Sequence, residues 1–176
     1  GQLAIVVGSY HLLKHNKGKG VMVGKLEDID PRVVSVIGAG VAGTQSVSKA
    51  LDNHALVKVL DTSQAKLLEL ESEFGSKNIE YILSTSDSVQ SAINNSDLVV
   101  GSVYVAGKEA PKVVTKDMLA SMNPGTVMVD VSIDQGGCFE SSKPTTHDNP
   151  TFIENDIVHY CAVSYTHLRA HETFTD

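Results

Sequence analysis

Apolar and polar positions along this chain switch between two periods, and each switch marks an element. Val33, Val34, Val36 and Ile37 form a β-branched run, the pattern of a strand buried on both faces. Residues 41–51 follow at helical spacing, and 56–60 form a second apolar strand. Leu67, Leu68, Leu70 and Phe74 predict an amphipathic helix over 63–74, with Gly75 as its C-cap. A third strand is predicted over 79–83, and Ser86 reads as the N-cap of a helix reaching Ile93. Residues 98–103 read as a fourth strand, 115–122 as a helix stopped by Pro124-Gly125, and 126–131 as a near-continuous fifth strand. A sixth is predicted over 157–162. Upstream, Leu3, Val6, Val7, Tyr10 and Leu13 predict a helix over 2–14, ended by Gly18-Lys19-Gly20. Residues 21–23 are a connector or short strand, and Asp30-Pro31 punctuates before the first strand proper. Strands alternating with helices in this way predict an α/β fold, a doubly wound, mostly parallel sheet in a single domain.

The first strand leads straight into Gly38-Ala39-Gly40-Val41-Ala42-Gly43, and the second closes on Asp61, 18 positions after Gly43. Gly38 allows the tight strand-to-helix turn, Gly40 lets backbone approach a pyrophosphate, and Gly43 lets the helix pack close to the strand. Free N–H groups at the helix start, with the helix dipole, favour an anion there. A GxGxxG alone is a weak signal. With a strand before it, a helix after it and an acid at the next strand's end, it predicts a Rossmann-type dinucleotide site. Asp61 would accept hydrogen bonds from ribose hydroxyls and repel a 2′-phosphate. No Arg follows it (Thr62, Ser63, Gln64), so NAD is favoured over NADP.

The 176 residues suffice for one domain with a proper core. Fourteen basic against 21 acidic side chains give a net charge of −7, which argues against nucleic acid or an anionic membrane as partner. No apolar stretch is long enough to span a bilayer, and no signal peptide is visible. Cys138 and Cys161 form no CxxC and read as buried free thiols of a cytoplasmic protein. His11 and His15 have metal-compatible i, i+4 spacing but no third ligand nearby, so a solvated helix face is expected and no metal site.

In such sheets ligands bind beyond the carboxyl ends of the strands, so those positions carry the candidates. Ser84 and Thr85 follow the third strand and suit the adenine side. The fourth runs into Val103-Tyr104-Val105-Ala106-Gly107, an apolar wall suited to a ring. The fifth ends in Ser132-Ile133-Asp134-Gln135-Gly136-Gly137-Cys138. Asp134 serves equally well as a polar, proton-handling group in the cleft or as a cap for the turn that follows it. Asp130, inside the apolar run, reads as a satisfied structural acid, and 143–150 as an ordinary loop.

Together these segments resemble the alanine dehydrogenase family, from Gly1 to about Ala162. The most specific stretches are VDVSIDQGGCFESSKPTTHDNP (129–150), GKEAPKV (107–113) and His159-Tyr160-Cys161. The DQGGCFE…PTTHDNP string separates this family from the related transhydrogenase subunits. The resemblance implies reversible oxidative deamination of L-alanine to pyruvate and ammonium, with hydride transfer to NAD, in a homohexamer. By position, Gly38, Gly40, Ala42 and Gly43 would bind the dinucleotide, Asp61 the ribose, Lys66 lie near the adenosine and Ser84 line the adenine pocket. Val103 and Tyr104 would wall the cleft. Val131, Ser132, Ile133 and Asp134 would approach the nicotinamide ribose, with Asp134 matching the family's active-site aspartate.

Lys143 stands where the family often has Arg, so no cofactor contact is carried over to it. The family's substrate-binding Arg and Lys and its catalytic His belong to a domain preceding Gly1, and none of the seven histidines here matches that His. Residues 1–20 are accordingly read as a connecting helix, 21–162 as the NAD-binding domain, and the whole as incomplete at both ends. After Cys161 the family pattern stops, and 163–176 reads as a non-native tail, with 163–168 resembling a translated library adapter. Two other readings stay open: a transhydrogenase-like subunit, and a non-catalytic NAD-sensing module.

Overall fold

Seven strands form one sheet in the order β3-β2-β1-β4-β5-β7-β6. They are β1 (Val33–Ile37), β2 (Leu56–Asp61), β3 (Ile79–Leu83), β4 (Leu98–Gly101), β5 (Val127–Asp130), β6 (Thr151–Glu154) and β7 (Ile157–Tyr160). The computed structural model describes residues 1–163 except 26 and 28; most of the predicted tail lies outside the described residues. All neighbouring pairs are parallel except β6 with β7. Without β6 the order is that of the doubly wound dinucleotide-binding sheet.

Alternate residues of each inner strand feed two cores. Val34, Val36, Val57, Val59, Leu98, Val100, Val127 and Val129 pack on one face, under α1 (Gln2–His11), α2 (Val41–Asp52) and α3 (Gln64–Phe74). Ile37, Leu60, Val99, Met128 and Ile157 pack on the other, with α4 (Ser86–Asn94), α5 (Lys116–Leu119) and Phe139. A strand covered on both faces reads as a nearly continuous apolar run, broken here by Ser35, which is buried and bonded to Ser96, and by Lys58. Gly101 ends β4 because a Cβ there would collide with Cys138 Sγ and the Phe139 ring, which fill that space.

Several boundaries differ from the sequence reading, each for a local reason. The N-cap of α4 is Thr85, not Ser86: Thr85 Oγ1 accepts from Ser88 N–H and Ser88 Oγ accepts from Thr85 N–H, a reciprocal capping box. The helix expected over 115–122 is only Lys116–Leu119, because Ala120, Ser121 and Met122 donate to carbonyls three residues back and tighten the turn. The strand over 98–103 stops at Gly101, where Ser102 turns back to bond Ile37 and Gly38 carbonyls.

In α1 the apolar stripe is not the buried face. Leu3, Val6 and Tyr10 are exposed, while Ala4, Ile5, Gly8 and His11 are buried. Small residues allow α1 to approach α2 and β4 closely. His11 is therefore not on a solvated face; its ring lies against Tyr160, and burial lowers its pKa, aided by nearby His15.

The sequence reading missed β6. Asn155 and Asp156, both at positive φ (52° and 60°), make a two-residue turn between it and β7. That is the backbone of a tight hairpin, and Asn-Asp between Phe152-Ile153 and Ile157-Val158 was its signal. The hairpin completes the burial of His159, whose Nε2 bonds Ser141 Oγ at 2.8 Å while its ring stacks on Phe152.

Burial holds the His159 pKa below the ordinary 6.5. The unfolded chain then binds the proton more readily. Stability is complete above pH 6.5 and falls as the pH drops below it, levelling once the folded-state value is passed. Chemical denaturation between pH 8 and pH 5 is expected to show this slope, reduced in His159→Gln; a slope unchanged by that substitution would sink the assignment.

Candidate nucleotide-binding site

A cavity of about 820 Å³ opens at the carboxyl ends of β1, β2 and β4. Its floor is the turn from β1 into α2. Gly38 takes φ +105°, a conformation that side chains strain to adopt, and Gly43 sits where a Cβ would fall on the Gly38 carbonyl oxygen. The start of α2 is thereby held directly against the end of the strand. Ser102, buried at the end of β4, secures the same carbonyl through its hydroxyl at 2.9 Å. Sequence reading passed over Ser102, whose role depends on β4 lying beside β1.

Gly40 is different. It is the N-cap of α2, its φ is −79°, and a Cβ added there would meet nothing within 4 Å. No packing in the protein requires glycine at this place. The open space lies over the first turn of α2, whose early N–H groups lack helix partners and which carries no acidic residue. Val41, 88% exposed, stands bare beside it on the cavity wall. The open space leaves room for an anionic ligand to lie against the backbone.

Asp61 closes one side. Its Oδ2 accepts from Ala39 N–H at 2.7 Å and its Oδ1 from Ser63 N–H at 2.8 Å. The carboxylate thus braces the glycine turn and the start of α3 while each oxygen retains acceptor capacity. Lys66 Nζ stands 4.0 Å away, half exposed, too loose a pair to neutralise it. Ser84 is held beside Asp61 by its N–H on the Asp61 carbonyl.

The cavity brings together Gly38, Gly40, Ala42, Asp61, Lys66, Ser84, Val103 and Tyr104 among the sequence candidates. Gly43 lies behind the wall as packing. Val131, Ser132, Ile133 and Asp134 are not on the lining; they form the adjoining turn after β5. Ser132 Oγ donates to the Val103 carbonyl at 2.8 Å, which attaches that turn to the wall. Asp134 is exposed on the short 3-10 turn Ile133–Gln135. Pro111 and Val113 also line the cavity; both lie in the GKEAPKV stretch, but neither stood among the candidate site residues.

Asp130 is the satisfied acid expected: 3% exposed, it accepts from the N–H groups of Ser132, Cys138 and Phe139 and from Ser142 Oγ. Cys138 and Cys161 are buried and free. Burial and the Asp130 charge push the Cys138 thiol well up and Cys161 up to about 11, so neither is a nucleophilic thiolate at neutral pH. Lys143 is engaged elsewhere, pairing with Glu154 at 3.1 Å and lying over the Phe152 ring.

A doubly wound sheet with GAGVAG in its first βα turn and an acid closing its second strand defines the Rossmann class of domain. The family model described as "Alanine dehydrogenase/PNT, C-terminal domain" matches residues 4–171, and the chain belongs to that family. It is 43% identical over 164 residues to the alanine dehydrogenase of Halomonas elongata, covering 93% of this chain and 44% of that protein. With the Mycobacterium tuberculosis alanine dehydrogenase it shares 44% identity over the same shares of each chain. This chain therefore spans under half the length of these curated relatives. A solved L-alanine dehydrogenase superimposes with a TM-score of 0.88 at 35% identity, over 92% of this chain and 44% of that one. A transhydrogenase from Sinorhizobium meliloti, at TM-score 0.72 and 22% identity over 92% and 48%, shares the fold.

The two glycines separate packing from ligand space. Gly43→Ala is expected to destabilise the fold by about 2 kcal/mol or more, the cost of overpacking against backbone. Gly40→Ala is expected to change stability by less than about 0.5 kcal/mol, as at an unencumbered surface site. Urea denaturation of both variants measures this, and equal losses would contradict it.

Proposed function

We propose that this chain is the NAD-binding part of an L-alanine dehydrogenase. The observation that carries the reading is Gly40, a glycine that protein packing does not require, in the cavity wall at the N-terminus of a 12-residue helix. The glycine turn and the first N–H groups of α2 would hold a pyrophosphate, Ala42 being the closest side chain. Asp61 would accept the adenosine ribose hydroxyls, with Ser84 and Lys66 around the adenine end. Val103 and Tyr104 would flank the bound ring side, and Val131–Asp134 would face the nicotinamide ribose, Asp134 as the polar group at the mouth. NAD when bound supplies the hydride acceptor. The residues of this chain position it and keep water from its apolar wall.

Asp61 supports NAD over NADP: a 2′-phosphate would meet a carboxylate already accepting two amide hydrogen bonds, with no Arg next to it. Family membership supports the alanine–pyruvate reaction, and the DQGG segment supports it over a transhydrogenase-like exchange between nucleotides. Residues 1–20 act in this reading as the connecting helix and 21–162 as the domain. The same reading includes a homo-oligomer, supported by the exposed apolar residues of α1, and a cytoplasmic setting, supported by two free thiols. No helix among the described residues is long and apolar enough to cross a membrane.

Fluorescence titration of the chain with NADH and NADPH tests the cofactor. NADH is expected to bind at least about tenfold more tightly, and Asp61→Asn to bring the two within about threefold, the scale of one partly screened charge. Gly40→Ala is expected to lower NADH affinity about tenfold. Equal affinity of the unsubstituted chain for both nucleotides would overturn the NAD assignment. The chain alone is expected to show no alanine-dependent NADH formation, since the groups for substrate are assigned outside it; turnover would overturn that assignment.

A further inference from the structure

Two loops run side by side beyond the sheet: the one after β4, which walls the cavity, and the one after β5, which carries Asp134. Backbone bonds join them at three points: Glu140 N–H donates to the Val114 carbonyl at 2.8 Å, and two further bonds flank a gap. Ala110 N–H donates to the Gln135 carbonyl at 2.9 Å and Val113 N–H to the Cys138 carbonyl at 2.8 Å. Between these points the ladder is interrupted, because Pro111 has no N–H to give. The carbonyls facing the gap belong to Gly136 and Gly137, consecutive glycines at φ +86° and +78°. Both glycines keep their own N–H groups bonded, to the Ile133 and Ser132 carbonyls, so the turn is closed while their carbonyls are left for an outside donor.

Lys112 fills the gap. Its ammonium donates to the Gly136 carbonyl at 2.5 Å and to the Gly137 carbonyl at 2.6 Å. Among the described residues no carboxylate lies within ion-pair distance of it, so both strong bonds go to this turn. Its neighbours Pro111 and Val113 line the cavity. Lys112 thus ties the cavity wall to the turn that begins with Ile133 and Asp134. It does so on the β4–β5 half of the sheet, with β1 standing between that half and β2, whose end carries Asp61.

We propose that Lys112 is a positioning residue: by holding the Gly136–Gly137 carbonyls it sets the Asp134 turn against the cavity wall. It thereby shapes the site for the nicotinamide half of the dinucleotide and not for the adenosine half. The proposal rests on the NAD reading above. Arg can span two carbonyls with its fork, whereas Met preserves the length of the side chain and loses the donors.

The test compares NADH with ADP-ribose, which lacks only the nicotinamide, on the 176-residue chain and its Lys112→Met and Lys112→Arg variants. Lys112→Met is expected to weaken NADH about tenfold while ADP-ribose changes less than about twofold, and Lys112→Arg to restore NADH to within about threefold. Hydrogen exchange at the Ala110 and Val113 amides is expected to quicken in Lys112→Met. Unchanged NADH affinity in Lys112→Met overturns the proposal even if exchange quickens, because the contact is then structural only. Parallel weakening of both ligands overturns it as well. Failure of the unsubstituted chain to bind either ligand overturns the NAD reading and this proposal with it, an outcome distinct from the other two.

Discussion

The missing Cβ of Gly43 against the Gly38 carbonyl oxygen is the contact on which the site depends. It lets α2 begin directly at the end of β1, so the helix's unpaired N–H groups face the crevice beyond the sheet. Dense surroundings hold this approach in place. Ser102 bonds the Gly38 carbonyl from β4, and Asp61 bonds the Ala39 amide from β2. Three neighbouring strands therefore converge on one six-residue turn, and each contributes at its carboxyl end. The parallel sheet makes that convergence possible, because all its inner strands finish on the same side.

Two aspartates show how one residue type takes different parts. Asp130 lies inside the protein and is saturated by three amides and a hydroxyl, organising the segment from Ser132 to Ser142. Asp61 braces two turns but remains at the cavity surface with acceptor capacity left over. Asp134, exposed beyond β5, has neither kind of support from its own side chain. Its position is determined by the backbone around it, through Ser132 on Val103 and the glycine pair under Lys112. The two halves of the sheet thus carry acids of different standing, one built into the cavity and one held at its margin.

The elements of the chain were legible where local pattern and burial agree. Residues 33–37 and 56–61 are mostly apolar because helices cover the faces of β1 and β2, whereas 79–83 is the sheet edge and exposes Glu80 and Leu83; Ser63 and Gly75 bound α3 as their chemistry requires. Legibility failed where a neighbour in space decided the outcome. Apolar periodicity in α1 pointed to Leu3, Val6 and Tyr10, yet the tightly packed face is the one with Ala4 and Gly8. Ile5 and Leu12 are fully buried beside them, so the close approach that the small residues allow seats two large apolar side chains. β6 is four residues long and half buried, too short to declare itself except through the Asn155-Asp156 turn.

The sequence by itself determined that a strand, a glycine turn, a helix and an acid occur in dinucleotide-binding order, because those requirements are local to about thirty residues. It also singled out the DQGG segment. The fingerprint already assigned close ligand approach to Gly40 and packing to Gly43; the tertiary structure supplied the contacts behind that division, the Gly38 carbonyl oxygen where a Gly43 Cβ would stand and open space beyond Gly40. Tertiary structure alone joined Ser102 to the glycine turn, 64 positions away in the chain, and Lys112 to Gly136 and Gly137, 24 and 25 positions away. Such partners meet only when parallel strands bring the loops beyond their ends together, and no periodicity along the chain records that meeting.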